Sequence, residues 1–114
     1  MKAAIGYCDH TIAPSLYRVE VANAIRTMVV AGQLDSQAAD YYFESGMQLI
    51  DEFVDEGDLM VEALHEALRF NHSVYDLLYV ILARRSGGAL ITKDSKLFRV
   101  AARAGVTVYF DADV

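Results

Sequence analysis

The sequence predicts an α/β fold built on a parallel sheet, and three observations carry that prediction. Two short apolar runs, Ala89–Thr92 and Val106–Phe110, alternate with helical stretches, the pattern of strands joined by crossover helices. Val74–Ala83 is apolar or aromatic on almost every face except at Asp76, so it should be a helix running through the interior. Glycines stand where helical stretches should stop, at Gly32, Gly87–Gly88 and Gly105.

Taken in order, residues 1–8 read as the end of a helix or a disordered start. Thr11–Ala13 is a short strand stopped by Pro14, and Ser15 is placed to cap a helix over 16–31. On that helix Val19, Ala22, Ile25, Met28 and Val29 form the apolar stripe. Glu20 lies on the neighbouring face with Leu16, Asn23, Ala24 and Thr27. A second helix runs from Asp35 or Ser36 to Met47, with Ala38, Ala39, Tyr42 and Phe43 inward, and Leu49–Val54 fits an edge strand. A helix over 57–70 should carry Leu59, Leu64 and Leu68 on one side. Ser73 then caps the buried helix, with Asp76 at capping-box spacing. Strand Ala89–Thr92 is followed by Asp94, a helix over Ser95–Ala104 and the last strand.

The chain has 114 residues, 54% of them hydrophobic, which suits one domain with a core of its own. It has a single Pro, no internal repeat and no low-complexity stretch, so no linker or domain boundary is expected within 1–114. No apolar run is long enough to cross a bilayer, and MKAAIGYCDH lacks the apolar core of a signal peptide. Cys8 has no internal partner, which fits a reducing, cytoplasmic setting; it reads as a small hydrophobe. His10, His65 and His72 are scattered and show no zinc spacing, and the glycines form no nucleotide-binding pattern. The tyrosines fall at core-like spacings.

The net charge of −6 conceals an asymmetry. No Lys or Arg occurs between Thr27 and Leu68, where Asp35, Asp40, Glu44, Asp51, Glu52, Asp55, Glu56, Asp58, Glu62 and Glu66 all lie. Farther on, Arg84, Arg85, Lys93, Lys96, Arg99 and Arg103 surround a single acid, Asp94. A basic lobe beside carboxylates suits a phosphate-bearing substrate, and the acidic middle suits a basic partner or simply a solvated face.

Three acids stand out. Asp76 is the one charge between Arg69 and Arg84, and its alternatives are a capping partner of Ser73 or a functional carboxylate in the first turn. Asp94 follows a strand at its carboxyl end, where open α/β sheets bind ligands, and it is equally placed to cap the next helix. Glu20 has no basic residue three or four positions away, and on its own it reads as solvent-facing. Thr92 reads as structural, or as a group that orients a metal-bound water.

The segments IAPSLYRVEVANAI, SVYDLLYVILA, TKDSKL and AARAGV resemble the PIN domain family, in particular the small VapC-like toxins, from about residue 9 to the end. The resemblance implies a three-layer α/β/α fold around a parallel sheet of order 3-2-1-4-5. It assigns Glu20, Asp76 and Asp94 to the family's acidic set. It also implies a metal-dependent endoribonuclease that holds Mg²⁺ or Mn²⁺ on carboxylate oxygens, the hard ligands these ions require. Arg84, Arg85, Lys93, Lys96 and Arg99 would then contact RNA. An antitoxin partner and a homodimer or larger assembly follow from the same resemblance.

One family feature is absent. The family opens with a central strand ending in an aspartate, and nothing before Ile12 supplies it, so the chain should be a truncated or degenerate homologue with an incomplete site. Asp9 precedes its strand and falls at the wrong end of the sheet. The gap in the sheet should be closed by rearranged strands or by exchange between chains. The alternative function is an inert PIN-like module that binds protein or RNA. A flavodoxin- or receiver-like domain shares the α/β pattern but leaves the helix-borne acids unexplained.

Overall fold

The computed structural model describes the backbone of residues 3–7 and 10–110, and the side chains of residues 10–109. Cys8 and Asp9 therefore lie outside the described residues. The element order is β1 (Ala3–Tyr7), β2 (His10–Pro14), α1 (Leu16–Val30), α2 (Ala39–Gln48), β3 (Glu52–Val54), α3 (Met60–Phe70), α4 (Val74–Ser86), β4 (Ala89–Thr92), α5 (Ser95–Arg103) and β5 (Thr107–Phe110). Short 3₁₀ turns at Ser36–Ala38 and Glu56–Leu59 lead into α2 and α3.

The five strands form one sheet in the order β3-β2-β1-β4-β5. β2 pairs β3 and β4 pairs β5 in parallel, whereas β1 is antiparallel to both its neighbours. All four outer strands thus point one way, with β1 against them. Two corrections follow. Residues 3–7 are neither a helix end nor an unstructured start: they occupy the central position, closing the sheet within the chain. The sheet is also mixed, not wholly parallel. The reason is chain length, because only two residues separate β1 from β2, and so short a connection permits only an antiparallel hairpin. No acid occurs in Ala3–Tyr7, so this strand does not supply the missing aspartate.

Helices cover both faces of the sheet. Ile12 of β2 turns into the larger core, with Leu90 of β4 and the buried residues of α3, α4 and α5. Its neighbour Ala13 turns the other way, into a smaller core with Tyr17 of α1 and Ile50, as the two-residue period of a strand requires. These two cores make the three-layer α/β/α arrangement. α4 is its axis: every residue from Asp76 to Ala83 is buried. Ser73 Oγ accepts the Asp76 N–H at 3.3 Å, and Gly87 ends the helix in the left-handed region at φ 70°.

Three local expectations change. Ser15 does not cap α1, since its hydroxyl donates to the Val54 carbonyl at 3.2 Å and ties the helix start to β3. α3 buries Ala63, Glu66 and Ala67 and leaves Leu64 and Leu68 exposed. The small alanines let α3 approach α4 closely, and Glu66 is drawn in by Arg84 at 2.9 Å. Tyr42, expected inward, is half exposed on α2.

Candidate active site

Glu20, Asp76 and Asp94 lie at one edge of the sheet, the carboxyl end of the four co-directional strands. α1 starts where β2 ends, so Glu20 sits in the second turn above that edge. Only Gly87 and Gly88 separate α4 from β4, so β4 runs back along α4 and its carboxyl end meets the helix's first turn, which carries Asp76. Asp94 follows two residues after Thr92 at the same end.

Each carboxylate is held by a protein group. The Tyr79 hydroxyl donates to Glu20 Oε1 at 2.6 Å, joining α1 to α4. Tyr79 is 3% exposed, and a buried phenol requires such a partner. Burial raises its pKa well above the tyrosine range, helped by the Glu20 bond and by the nearby charge of Asp76, so it remains a neutral donor. Tyr79 therefore stands between the two acids, one helical turn beyond Asp76. The Asp76 side chain is itself nearly enclosed, with its Oδ2 3.0 Å from His72 Nε2. Asp94 caps α5: its Oδ1 accepts from Lys96 N at 2.9 Å and Leu97 N at 3.3 Å. The buried Thr92 hydroxyl accepts the Asp94 N–H at 3.0 Å, which gives Thr92 a structural task in shaping this turn.

The donor type suits a hard divalent cation, but the spacing does not. Among the described residues no group of three His, Cys, Asp or Glu side chains is close enough to hold a metal ion. Glu20 is bonded to Tyr79 and Asp76 to His72, while Asp94 is occupied with the α5 amides. As arranged, the three do not enclose a cation.

The basic residues divide into two sets. Lys93, Lys96 and Arg99 are exposed on either side of Asp94 and form no ion pair with another described residue. Arg84 and Arg85 are elsewhere, in the last turn of α4, about 12 Å along the helix from Asp76. Arg84 bonds Glu62 Oε2 at 2.6 Å, Glu66 Oε2 at 2.9 Å and the Ala104 carbonyl at 3.2 Å. Arg85 bonds Glu62 Oε1 at 3.0 Å. The Arg84 hydrogen bond holds both glutamates below the ordinary carboxylate range. The grouping of Arg84 and Arg85 with the carboxylate edge does not hold, because α3 brings its own acids to them.

Two residues at the site carry signals that the sequence alone left unused. Tyr79 is a phenol on an otherwise apolar helix, and His72 stands four residues before Asp76, the i,i+4 spacing of a side-chain pair. A cavity of about 480 Å³ opens beside the site between α1 and α2, with Glu20 and Tyr79 in its wall.

No family model matches the chain. Over 85 residues, 75% of its length, it is 33% identical to Ribonuclease VapC1 of Mycobacterium tuberculosis, in strains CDC 1551 / Oshkosh and ATCC 25618 / H37Rv. The matched stretch spans 63% of those relatives, less than two thirds of their length. The fold resembles the crystal structure of PAE2754 from Pyrobaculum aerophilum, with a TM-score of 0.71 and 24% identity over 85% of this chain and 69% of that one. On these two similarities the chain carries a PIN/VapC-like domain.

Proposed function

We propose that the domain is an endoribonuclease that hydrolyses RNA phosphodiester bonds, with Glu20, Asp76 and Asp94 as its carboxylates. The observation that carries this is the similarity to Ribonuclease VapC1 across 75% of the chain. The exposed Lys93, Lys96 and Arg99 beside Asp94 supply the positive field that an RNA backbone needs. Mg²⁺ or Mn²⁺ is the cofactor the resemblance implies; such an ion supplies an activated water and charge stabilisation. What the chain's own residues contribute is phosphate binding by this basic edge and orientation of Asp76 by His72.

Assembly belongs to the same proposal. Val61, Leu64 and Leu68 recur at i, i+3 and i+7 on the outward side of α3, all exposed, where a lone surface helix is normally polar. This stripe supports a homodimer or larger assembly. The acidic α2–α3 region suits a basic segment of an antitoxin protein. No helix among the described residues is long and apolar enough to cross a membrane, and a cytoplasmic site of action fits RNA as the substrate.

The second reading, an inert module that binds RNA or protein, is favoured by the hydrogen bonds that occupy all three carboxylates. RNA cleavage with Mg²⁺, Mn²⁺ or EDTA, using wild type and Asp76→Asn, separates the two. The enzyme reading expects ion-dependent cleavage that falls roughly a hundredfold in the variant. Undiminished cleavage by Asp76→Asn overturns the site, and no cleavage with any ion leaves the inert module.

A further inference from the structure

The α1–α2 layer covers only the β2–β3 half of its face of the sheet. Ala13, Tyr17, Ile50 and Phe53 close the smaller core there. Among the described residues no helix covers that face of β4 and β5. In β4 the alternation is sharp: Leu90 and Thr92 are buried, while Ile91 between them is 40% exposed. β5 repeats the pattern, with Val108 packed on the larger core and Thr107 and Tyr109 exposed. The parallel register sets Tyr109 beside Ile91, so the two side chains share one face. A tyrosine 60% exposed therefore lies on a bare sheet surface, shouldered by a branched aliphatic chain. β4 then passes into the exposed Lys93 and into Asp94. Asp94 is three residues beyond Ile91, at most about 10 Å of extended chain.

We propose that this bare face of β4 and β5 is a base-stacking platform for single-stranded RNA, with Tyr109 as the ring on which one base lies. The proposal rests on the RNA reading of the domain and gives the substrate a hold outside the carboxylates. A nucleobase is a flat apolar disc joined to a charged backbone. The surface matches both parts: a ring with an aliphatic shoulder, and Lys93 just past Ile91 for the adjoining phosphate. Strand alternation turns such an aromatic away from the core, the arrangement by which sheets stack unpaired bases. A second copy of the chain fits less well. Two apolar side chains fall far short of the ~800 Å² that each partner buries in a stable interface, but they suffice for one base. Nor do β4 and β5 carry an acid that would attract a basic protein segment. Stacking reads the ring face and not its edge, so the platform tolerates every base and favours the larger purines.

The test uses the full chain in EDTA, so that binding is read without cleavage, with short single-stranded RNA followed by fluorescence anisotropy. Tyr109→Thr removes the ring and keeps a good strand former, so the melting temperature should hold. Its RNA affinity should fall roughly tenfold, the worth of one stacked base. Tyr109→Phe should bind like wild type. The salt slope should be the same in all three proteins, because no phosphate contact is lost. An abasic RNA of the same length should bind wild type and Tyr109→Thr equally. Unchanged affinity in Tyr109→Thr, an equal loss in Tyr109→Phe, a flattened slope, or the same loss on abasic RNA overturns the platform. So does a wild-type dimer that Tyr109→Thr converts to a monomer in sedimentation, which assigns the face to a second copy. Binding untouched by Tyr109→Thr but weakened by Lys96→Glu with Arg99→Glu overturns the platform and leaves the ribonuclease reading standing. No RNA binding by the wild-type chain overturns both.

Discussion

Replacing Arg84 by methionine tests whether this residue serves the fold or the RNA. Methionine keeps an unbranched apolar stem and good helix propensity, so the change removes the guanidinium and little else. Three bonds go with it: to Glu62 at 2.6 Å, to Glu66 at 2.9 Å and to the carbonyl of Ala104 at 3.2 Å. Stripping one partner from a fully buried pair costs about 3–5 kcal/mol. The figure here is lower, because the Arg84 and Glu62 side chains are 31% and 33% exposed. Glu62 keeps Arg85 at 2.9 Å, and Glu66 keeps a longer contact with Arg69 at 3.5 Å. Glu66, with 11% of its side chain exposed, is the group left most in need. A loss of about 2 kcal/mol follows, or about 8 °C in Tm for a domain of this size.

The loss should depend on pH. Both glutamates titrate below their ordinary 4.5 because of Arg84. A depressed folded-state pKa gives stability that is complete above the unfolded value and disappears as pH falls through the folded one. The gap between wild type and Arg84→Met should therefore be full at pH 7 and shrink progressively below pH 4.5. Thermal melts followed by circular dichroism at neutral and acid pH measure it. RNA affinity and its salt slope should stay unchanged. Equal melts at neutral pH, a gap undiminished in acid, or a salt slope lowered by about one unit would refute the reasoning.

Three more outcomes are expected. Asp94→Ser keeps an oxygen for the Lys96 and Leu97 amides and should melt like wild type while losing RNA cleavage; Asp94→Ala should also lose about 1 kcal/mol of stability. A Ser variant that still cleaves would remove Asp94 from the site. Lys96→Glu with Arg99→Glu should weaken RNA binding and flatten its salt slope by about 1.4 units, two contacts on a single strand; an unchanged slope would count against the basic edge. Gly87→Ala meets no atom within 4 Å, so only the backbone at φ 70° resists it. The cost should be about 1 kcal/mol with activity intact, and a larger loss would mean the C-cap of α4 does more than turn the chain.

The local elements were legible where one physical signal dominated. α4 is apolar all round and could only be interior, and β4 and α5 are bounded by glycines and by Asp94 in its cap position. The carboxyl edge followed from chain order alone, since a strand's end fixes where the next residues lie. α3 was misjudged because it has two apolar stripes: periodicity identifies an amphipathic helix but does not say whether the leucines or the alanines face inward. That was decided by Arg84, which recruits Glu66 from a helix lying eighteen residues away in sequence. AAIGY gives a weak strand signal because it is mostly Ala and Gly, residues depleted in strands. Its place depends on hydrogen bonds offered by β2 and β4, and its direction on the short link to β2.

The sequence by itself determined which carboxylates are candidates and at which end of the sheet they gather. Tertiary packing alone decided how they are shared out: Glu20 to Tyr79 and the α1–α2 cavity, Asp76 to His72, Asp94 to the amides of α5, and Arg84 to the glutamates of α3. Side-chain chemistry and chain order are local properties, whereas the partner a buried polar group finds depends on distant segments that meet only when the core closes.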